Sequence, residues 1–393
     1  MSDEKKISRR GFIGATSLAG VGMMLSGNPL MAKVSGVESV AAKKFKMAII
    51  GCGNRSKTII SDLNDVPEIE IVALCDIVPH KMEQRAQLIK SGDKPKFIKD
   101  LKEVLQMEQL DSVAVITPNE THKDIVIASL EAGKHVFCEK PMALNVADCN
   151  EMIGAVGRTR KALQIGTQRR HAPSYKKLIE IIRTRPVGQI LQSSLFDYRG
   201  DWRVPEADEY PAGTPYWRLN QAKSGGVVYE MGNHIIDVNN WVFDSEPVSV
   251  SSIQGVNNFS LRKRDSSDHA GVLVEYANGS MMNYGGNVYN YGSKALDTFF
   301  GVNGTVQMGD GNITVKYGYP PGFPKSGELP KAETIQMPAG EGVVEELKHF
   351  AKVMDGKEKP YPDGYIGRQT VQIMEASLIS ALERRVVDVK ELR

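Results

Sequence analysis

Phe45-Lys46-Met47-Ala48-Ile49-Ile50-Gly51-Cys52-Gly53-Asn54-Arg55-Ser56 is an apolar run that stops on a pair of glycines. It reads as a buried parallel strand, then a tight turn, then the start of a helix at Ser56. Such a turn suits a phosphate for two reasons: Gly51 and Gly53 let the backbone come close, and the free N–H groups of the helix N-terminus point at the anion. The dinucleotide fingerprint asks for G-x-G-x-x-G or A, and its third position here is Ser56, so the turn needs support from elsewhere in the chain.

That support is the second strand, Ile69-Glu70-Ile71-Val72-Ala73-Leu74-Cys75-Asp76, which ends in a carboxylate where a ribose 2′-hydroxyl would need an acceptor. The same carboxylate would repel a 2′-phosphate, which favours NAD over NADP. Asp76 also suits the N-cap of the helix after Ile77-Val78-Pro79, and the two roles are compatible.

A chain of 393 residues can bury two separate cores. Its 41% hydrophobic and 24% charged residues are those of an ordinary soluble protein. A net charge of +2, with no basic stripe interleaved with aromatics, gives no electrostatic case for nucleic acid or an anionic membrane. The N-terminus differs from the rest: Lys5-Lys6-Ile7-Ser8-Arg9-Arg10-Gly11-Phe12-Ile13 precedes a mildly apolar run of small residues from Gly14 to Met31. That run is too short and too rich in Gly, Ala and Ser for a membrane span. The twin arginine resembles a twin-arginine export signal, against the plainer alternative of a disordered basic tail. The expectation is a signal peptide over residues 1–32, a linker over 33–45, and a periplasmic protein with no stable membrane insertion after export. Signals of this kind resemble those that move folded, cofactor-loaded proteins, so the cofactor should be held tightly. Cys52, Cys75, Cys138 and Cys149 show no C-x-x-C and no metal spacing. Neither a disulfide nor a metal site is expected.

After Asp76 the pattern gives helices over Lys81–Ser91 and Leu101–Met107, the strand Ser112–Ile116, a helix over His122–Ala132, the strand His135–Cys138 and a last strand Gln164–Gln168. Short apolar runs alternating with helical patterns predict a doubly wound parallel sheet, an α/β Rossmann domain over 46–169. Right-handed crossovers place every strand's C-terminal end on one rim. That rim holds Gly51, Asp76, Thr117 and Cys138-Glu139-Lys140-Pro141-Met142-Ala143. From Gln189 the period changes to two, with strands at Ile190–Tyr198, Val248–Val256, Gly271–Tyr276, Ser280–Tyr284, Thr298–Val302 and Thr305–Met308, the last pair joined by an Asn303-Gly304 hairpin turn. They predict an open, mostly antiparallel sheet in an α+β domain over 170–393, ended by helices over Gly340–Met354 and Tyr365–Arg385. Tyr319–Pro330 reads as a surface loop.

The E-K-P run at Glu139, with Thr117-Pro118-Asn119-Glu120-Thr121-His122 and Glu131-Ala132-Gly133-Lys134-His135-Val136, resembles the glucose-fructose oxidoreductase / inositol dehydrogenase / rhizopine catabolism (Gfo/Idh/MocA) family. The likeness runs from about Lys46 to the C-terminus. It implies NAD held by Gly51, Gly53, Asn54, Arg55, Ser56, Asp76, Thr117, Pro118, Asn119, His122, Glu139 and Lys140. It also implies a homo-oligomer formed through one face of the second sheet.

One stretch of the second domain is unlike a plain core helix: Gly225-Gly226-Val227-Val228-Tyr229-Glu230-Met231-Gly232-Asn233-His234-Ile235-Ile236-Asp237. On a regular helix Glu230, His234 and Asp237 share one side. A lone helical histidine is usually a satisfied core residue. The resemblance lifts His234 above that, because the family pattern here is G-G-x-x-x-D-x-G-x-H-x-x-D. Glu230 departs from it by one methylene. Removing a hydride from a carbinol carbon requires its hydroxyl proton to leave too, and an imidazole has a suitable pKa. A cation that steadies the alkoxide-like oxygen also helps. The resemblance supplies His234 as base and Lys140 as donor, with Glu230 or Asp237 to orient the imidazole or bind a neighbouring hydroxyl. Arg169, beyond the last nucleotide strand, faces either substrate or solvent. Trp202, Arg203, Trp217 and Arg218 suit a sugar, stacking on its apolar face and bonding its hydroxyls, or else pack a loop against another subunit.

The leading expectation is therefore an exported NAD-dependent oxidoreductase acting on a carbohydrate or glycoside hydroxyl. A branch of the resembling family acts as NAD-dependent glycosidases, but its N-x-Y-x-T-H signature is not matched by Val228-Tyr229-Glu230-Met231-Gly232-Asn233-His234. A non-enzymatic NAD-binding sensor is the third reading, and Lys140 together with His234 speaks against it.

Overall fold

The computed structural model describes residues 44–90, 92–201, 216–257, 263–290, 292–318 and 330–392. The twin-arginine stretch, Trp202 and Arg203 lie outside them. Strand β1 (Phe45–Ile50) ends at Gly51, whose backbone has φ +94° and whose missing Cβ would sit 2.6 Å from the Ile116 carbonyl oxygen. Only glycine fits there, so the chain can turn tightly into α1 (Asn54–Leu63).

The first half builds a six-stranded sheet from β1, β2 (Ile69–Cys75), β3 (Lys96–Ile98), β4 (Ser112–Val115), β5 (His135–Glu139) and β6 (Leu163–Gly166). All its pairings are parallel and the order is β3-β2-β1-β4-β5-β6. The order reverses between β1 and β4, opening a crevice at their C-terminal ends. Successive residues of β1 serve opposite layers. Met47 and Ile49 pack with Ile59 and Ile60 of α1, while Ala48 and Ile50 pack with the core that includes Val126 and Leu130 of α4 (His122–Glu131). Between α1 and α4 in sequence lie α2 (Pro79–Ala86) and α3 (Leu101–Leu105), and α5 (Val146–Thr159) and α6 (Pro173–Thr184) follow.

The second sheet has nine strands: β7 (Ile190–Tyr198), β8 (Pro247–Gly255), β9 (His269–Tyr276), β10 (Met281–Asn287), β11 (Lys294–Gly301), β12 (Gly304–Gly309), β13 (Asn312–Tyr317), β14 (Glu333–Gln336) and β15 (Val387–Asp388). It is antiparallel except for β7 against β10. The β11–β12 hairpin pairs Gly301 with Gly304, so its turn is Val302-Asn303, one residue earlier than the Asn-Gly pair suggested. Gly304 answers a different need: a Cβ there would lie 2.6 Å from the Lys316 carbonyl oxygen on β13. The short helix α7 (Gln221–Ser224) and the longer α8 (Asn233–Phe243), α9 (Val343–Met354) and α10 (Gly364–Glu383) complete the described chain.

Helix α9 returns to the first sheet: Val343, Leu347 and Phe350 join the layer of Met47 and Phe137, with the Phe137 and Phe350 rings 5.9 Å apart. Among the described residues no helix is long and apolar enough to cross a membrane, and no cluster of metal-binding side chains occurs. The cysteines are buried and unpaired.

Candidate active site

A cleft of about 750 Å³ runs along the crevice between β1 and β4 and on to the start of α8. One end is built from main chain. Helix α1 begins at Gly53 without a side-chain cap, which leaves its first N–H groups free for an anion. Ser56, at the third fingerprint position, is fully buried and donates its hydroxyl to the Gly53 carbonyl at 2.6 Å. Arg85 of α2, which the sequence reading did not single out, closes the same turn. Its Nη2 donates to the Gly53 carbonyl at 3.0 Å and its Nε reaches the Ser56 hydroxyl at 3.1 Å. The Asp76 carboxylate accepts from Cys52 N–H at 2.7 Å and Val78 N–H at 2.8 Å, one on each oxygen. It also lines the cleft, with lone pairs left for a ribose. An uncapped helix start, a glycine turn and an anchored carboxylate fit a dinucleotide whose ribose is unphosphorylated.

At the other end the strand termini carry the reactive side chains. Arg55 gives Nε to Glu139 at 2.6 Å, tying the start of α1 to the end of β5. The next residue, Lys140, crosses to the second domain and donates Nζ to the Glu230 carbonyl at 2.9 Å. Burial holds the Lys140 pKa below its ordinary value, opposed by the Glu230 charge. Asn119, from the turn after β4, donates to the Glu230 carboxylate at 2.8 Å and to the Ser224 carbonyl at 2.9 Å. Arg218 donates Nε to the other Glu230 oxygen at 2.7 Å, with its guanidinium 4.9 Å from the Trp217 ring centre. Burial tends to raise the Glu230 pKa, but Arg218 and Lys140 outweigh it and hold the carboxyl below its usual range.

Residues Val228–Gly232 wind as a π-turn before α8 begins. The wider turn changes the phase expected of a regular helix. Glu230 and His234 face the cleft, whereas Asp237 does not. Asp237 is 1% exposed, and its two oxygens accept from Arg170 Nε at 3.0 and 2.9 Å. Neither the Glu230 nor the Asp237 carboxylate hydrogen-bonds the His234 ring, which corrects the first of the two roles expected of them, orienting the imidazole. The His234 Nδ1 is buried with no hydrogen-bond partner among the described residues. Its pKa lies well below the ordinary value, first through burial and then through the charge of Lys140. A neutral imidazole in this position can accept a proton.

Of the other expected cofactor residues, Asn54, Thr117 and Pro118 line the cleft. His122 does not: it is 1% exposed, its Nδ1 lies 2.8 Å from the Pro141 carbonyl and its Nε2 3.0 Å from that of Thr117. It clamps the β4 turn to the segment after Lys140. Of the expected substrate residues, Trp217 and Arg218 line the cleft, whereas Arg169 does not and has its guanidinium 5.0 Å from the Tyr175 ring centre. Gln168 and Arg199 line it as well and were not anticipated. No local motif marks either one. Each follows a strand end, and that is the one signal that could have pointed to them.

Two family descriptions match the chain: the NAD-binding Rossmann fold of the Gfo/Idh/MocA oxidoreductases over residues 45–167, and their C-terminal alpha/beta domain over 179–389. The chain is 32% identical over 205 residues to the inositol 2-dehydrogenase of Salmonella typhimurium, covering 51% of this chain and 55% of that protein. The match thus spans about half the length of that relative. It is 24% identical over 380 residues to the D-apiose dehydrogenase of Paraburkholderia graminis, covering 92% of this chain and 94% of that one. The aldose-aldose oxidoreductase of Caulobacter crescentus, solved with glycerol, shares the fold with a TM-score of 0.73 at 22% identity, over 88% of this chain and 100% of that one.

Proposed function

The chain belongs to the Gfo/Idh/MocA family of oxidoreductases, and from that premise we propose that it is an NAD-dependent oxidoreductase acting on a carbohydrate or glycoside hydroxyl. The observation that carries this reading is that His234 and Lys140, each supplied by a different domain, line the same cleft. NAD, when bound, supplies the ring carbon that accepts the hydride. His234 takes the hydroxyl proton as the carbon–hydrogen bond breaks. Lys140 donates to the oxygen as it gains negative charge. Glu230 does not act on the substrate in this scheme. Its main chain holds the Lys140 ammonium and its carboxylate holds Arg218 and Asn119, so it fixes three donors at one point. The Trp217 face and the Arg218 edge offer stacking and hydrogen bonds to a sugar. The dehydrogenase names of the inositol and apiose relatives support this substrate class.

The Arg9-Arg10 stretch supports export by the twin-arginine route to the periplasm, and with it a cofactor tight enough to survive purification. The experiment incubates the purified protein with a panel of polyols, sugars and glycosides, following NADH absorbance and aglycone release. NADH without aglycone release is the expected result. Aglycone release with no net NADH would instead make it a glycosidase, and neither signal would leave a binding protein. With the responding substrate, His234→Ala should lower kcat and kcat/KM together by about 10²–10⁴-fold. Lys140→Ala combined with it should cost less than the product of the single losses, because both act on one oxygen. A change in KM alone would make His234 a substrate contact and move the base elsewhere.

A further inference from the structure

The substrate end of the cleft is rich in donors, and its carboxylates are spent on other protein groups. Arg199, beyond the end of β7, is 39% exposed and pairs through Nε and Nη2 with Asp197, itself 5% exposed. The remaining nitrogen, Nη1, has no partner among the described residues. Glu230 is committed to Asn119 and Arg218, and Glu139 to Arg55. Asp297, the other acid near Arg169, is buried and its pKa is pushed up to about 6 by burial, so it offsets Arg169 without offering the cleft an acceptor. The imidazole of His234 registers this balance: after burial, the charges acting most strongly on it are the cations Lys140, Arg169, Arg55 and Arg199.

A neutral sugar hydroxyl placed against such a surface brings a donor of its own. A carboxylate brings only acceptors, and its bond to a guanidinium is charge-assisted. We propose that the substrate carries a carboxylate, as a uronic or aldonic acid does, and that Arg199 Nη1 binds it beside the carbinol held between Lys140 and His234. The position of the carbinol rests on the oxidoreductase reading above. The acid group also completes the site electrostatically, because a negative charge here offsets the positive field on the imidazole and makes it a better base.

The test titrates NAD-loaded protein calorimetrically with two sugar pairs that differ only in carboxylate for hydroxymethyl: D-glucuronate against D-glucose, and D-galacturonate against D-galactose. NADH formation is read in parallel. In at least one pair the acid should bind about tenfold more tightly or better, and Arg199→Gln should remove that advantage by weakening the acid far more than its neutral partner. Arg199→Lys, which keeps the charge, should restore part of it and also guards against a variant that fails to fold. Equal binding within both pairs, no binding of either acid, or an equal loss for acid and neutral sugar in Arg199→Gln would each overturn the proposal. NADH formed from a neutral sugar with the acids ignored would overturn it while leaving the oxidoreductase reading standing. Arg199-dependent acid binding with no NADH from any substrate would do the reverse.

Discussion

Asp237 and His234 are three residues apart, and the fold gives them opposite work. A sequence pattern can mark both, because spacing carries information about position on a helix and nothing about which distant side chain arrives to bond. The partner that decides the matter, Arg170, lies 67 residues away and reaches Asp237 with two short hydrogen bonds. Its Nη1 also donates to the Tyr361 hydroxyl at 3.1 Å, so the pair joins the end of the first domain to α8 and to the segment before α10. Removing one member of a buried ion pair strands the other charge, at a cost of about 3–5 kcal/mol. Asp237→Asn should therefore lower the unfolding free energy by about that amount in a urea titration, while kcat of the folded enzyme changes by less than about threefold. A collapse of kcat with stability intact would return Asp237 to the reacting groups. The Ser56 anomaly has the same origin. The sequence displays the missing glycine, but the arginine that braces the turn in its place, Arg85, stands on the next helix with no motif to flag it.

Elements whose identity rests on local pattern were legible: the strand, glycine turn and helix around Gly51, the parallel strands with their C-terminal rim, and the period-two strands from β7 to β12. Those that need a partner to exist were not. β3 has three residues, β15 has two, and β14 pairs only at the sheet edge, so none carries enough alternation to stand out. The π-turn at Val228–Gly232 was also hidden, since its residues read as ordinary helix and only packing decides the winding. Gly232 is part of the reason it is tolerated there, because a Cβ would press on the Tyr284 ring at 3.0 Å. Helix α9 shows how far one residue can matter to an element. Gly342 caps it with φ +88°, and a Cβ there would collide with the Ala172 nitrogen and with the Gln168 carbonyl oxygen at 2.5 Å. Gly342→Ala should destabilise the protein by about 2–4 kcal/mol, through left-handed strain and overpacking combined. Hydrogen exchange should show the loss first in α9, and then in β1 and β5 beneath it. Unchanged protection of α9 would mean that the loop moves aside at little cost.

At the scale of the whole molecule the second sheet poses a physical problem. One face carries the core, with Leu195, Val272, Tyr284 and Phe299 buried beneath helices. The other face, by the strand register, presents Ile253, Leu273, Met281 and Phe300, which are 78%, 45%, 38% and 40% exposed. Phe196 and Leu296, paired across β7 and β11, lie on the same face between them. Apolar side chains spread over five adjacent strands of a broad sheet are more than scattered surface hydrophobes, and a patch of this kind marks an interface. A second copy of the chain is the occupant proposed here. By the same register its charged residues include Glu275, Lys294 and Lys316, of both signs, and two copies of one sheet can meet as a self-complementary pair. Sedimentation of the purified protein should then give a dimer or a higher even assembly. Leu273→Asp with Phe300→Asp should shift it to monomer, since each buried carboxylate would face an apolar partner. None of these face residues lines the cleft, so the monomeric variant should keep its NAD affinity within about twofold. A wild-type monomer, or a double variant that still assembles, would leave this face without a partner and the exposed row unexplained.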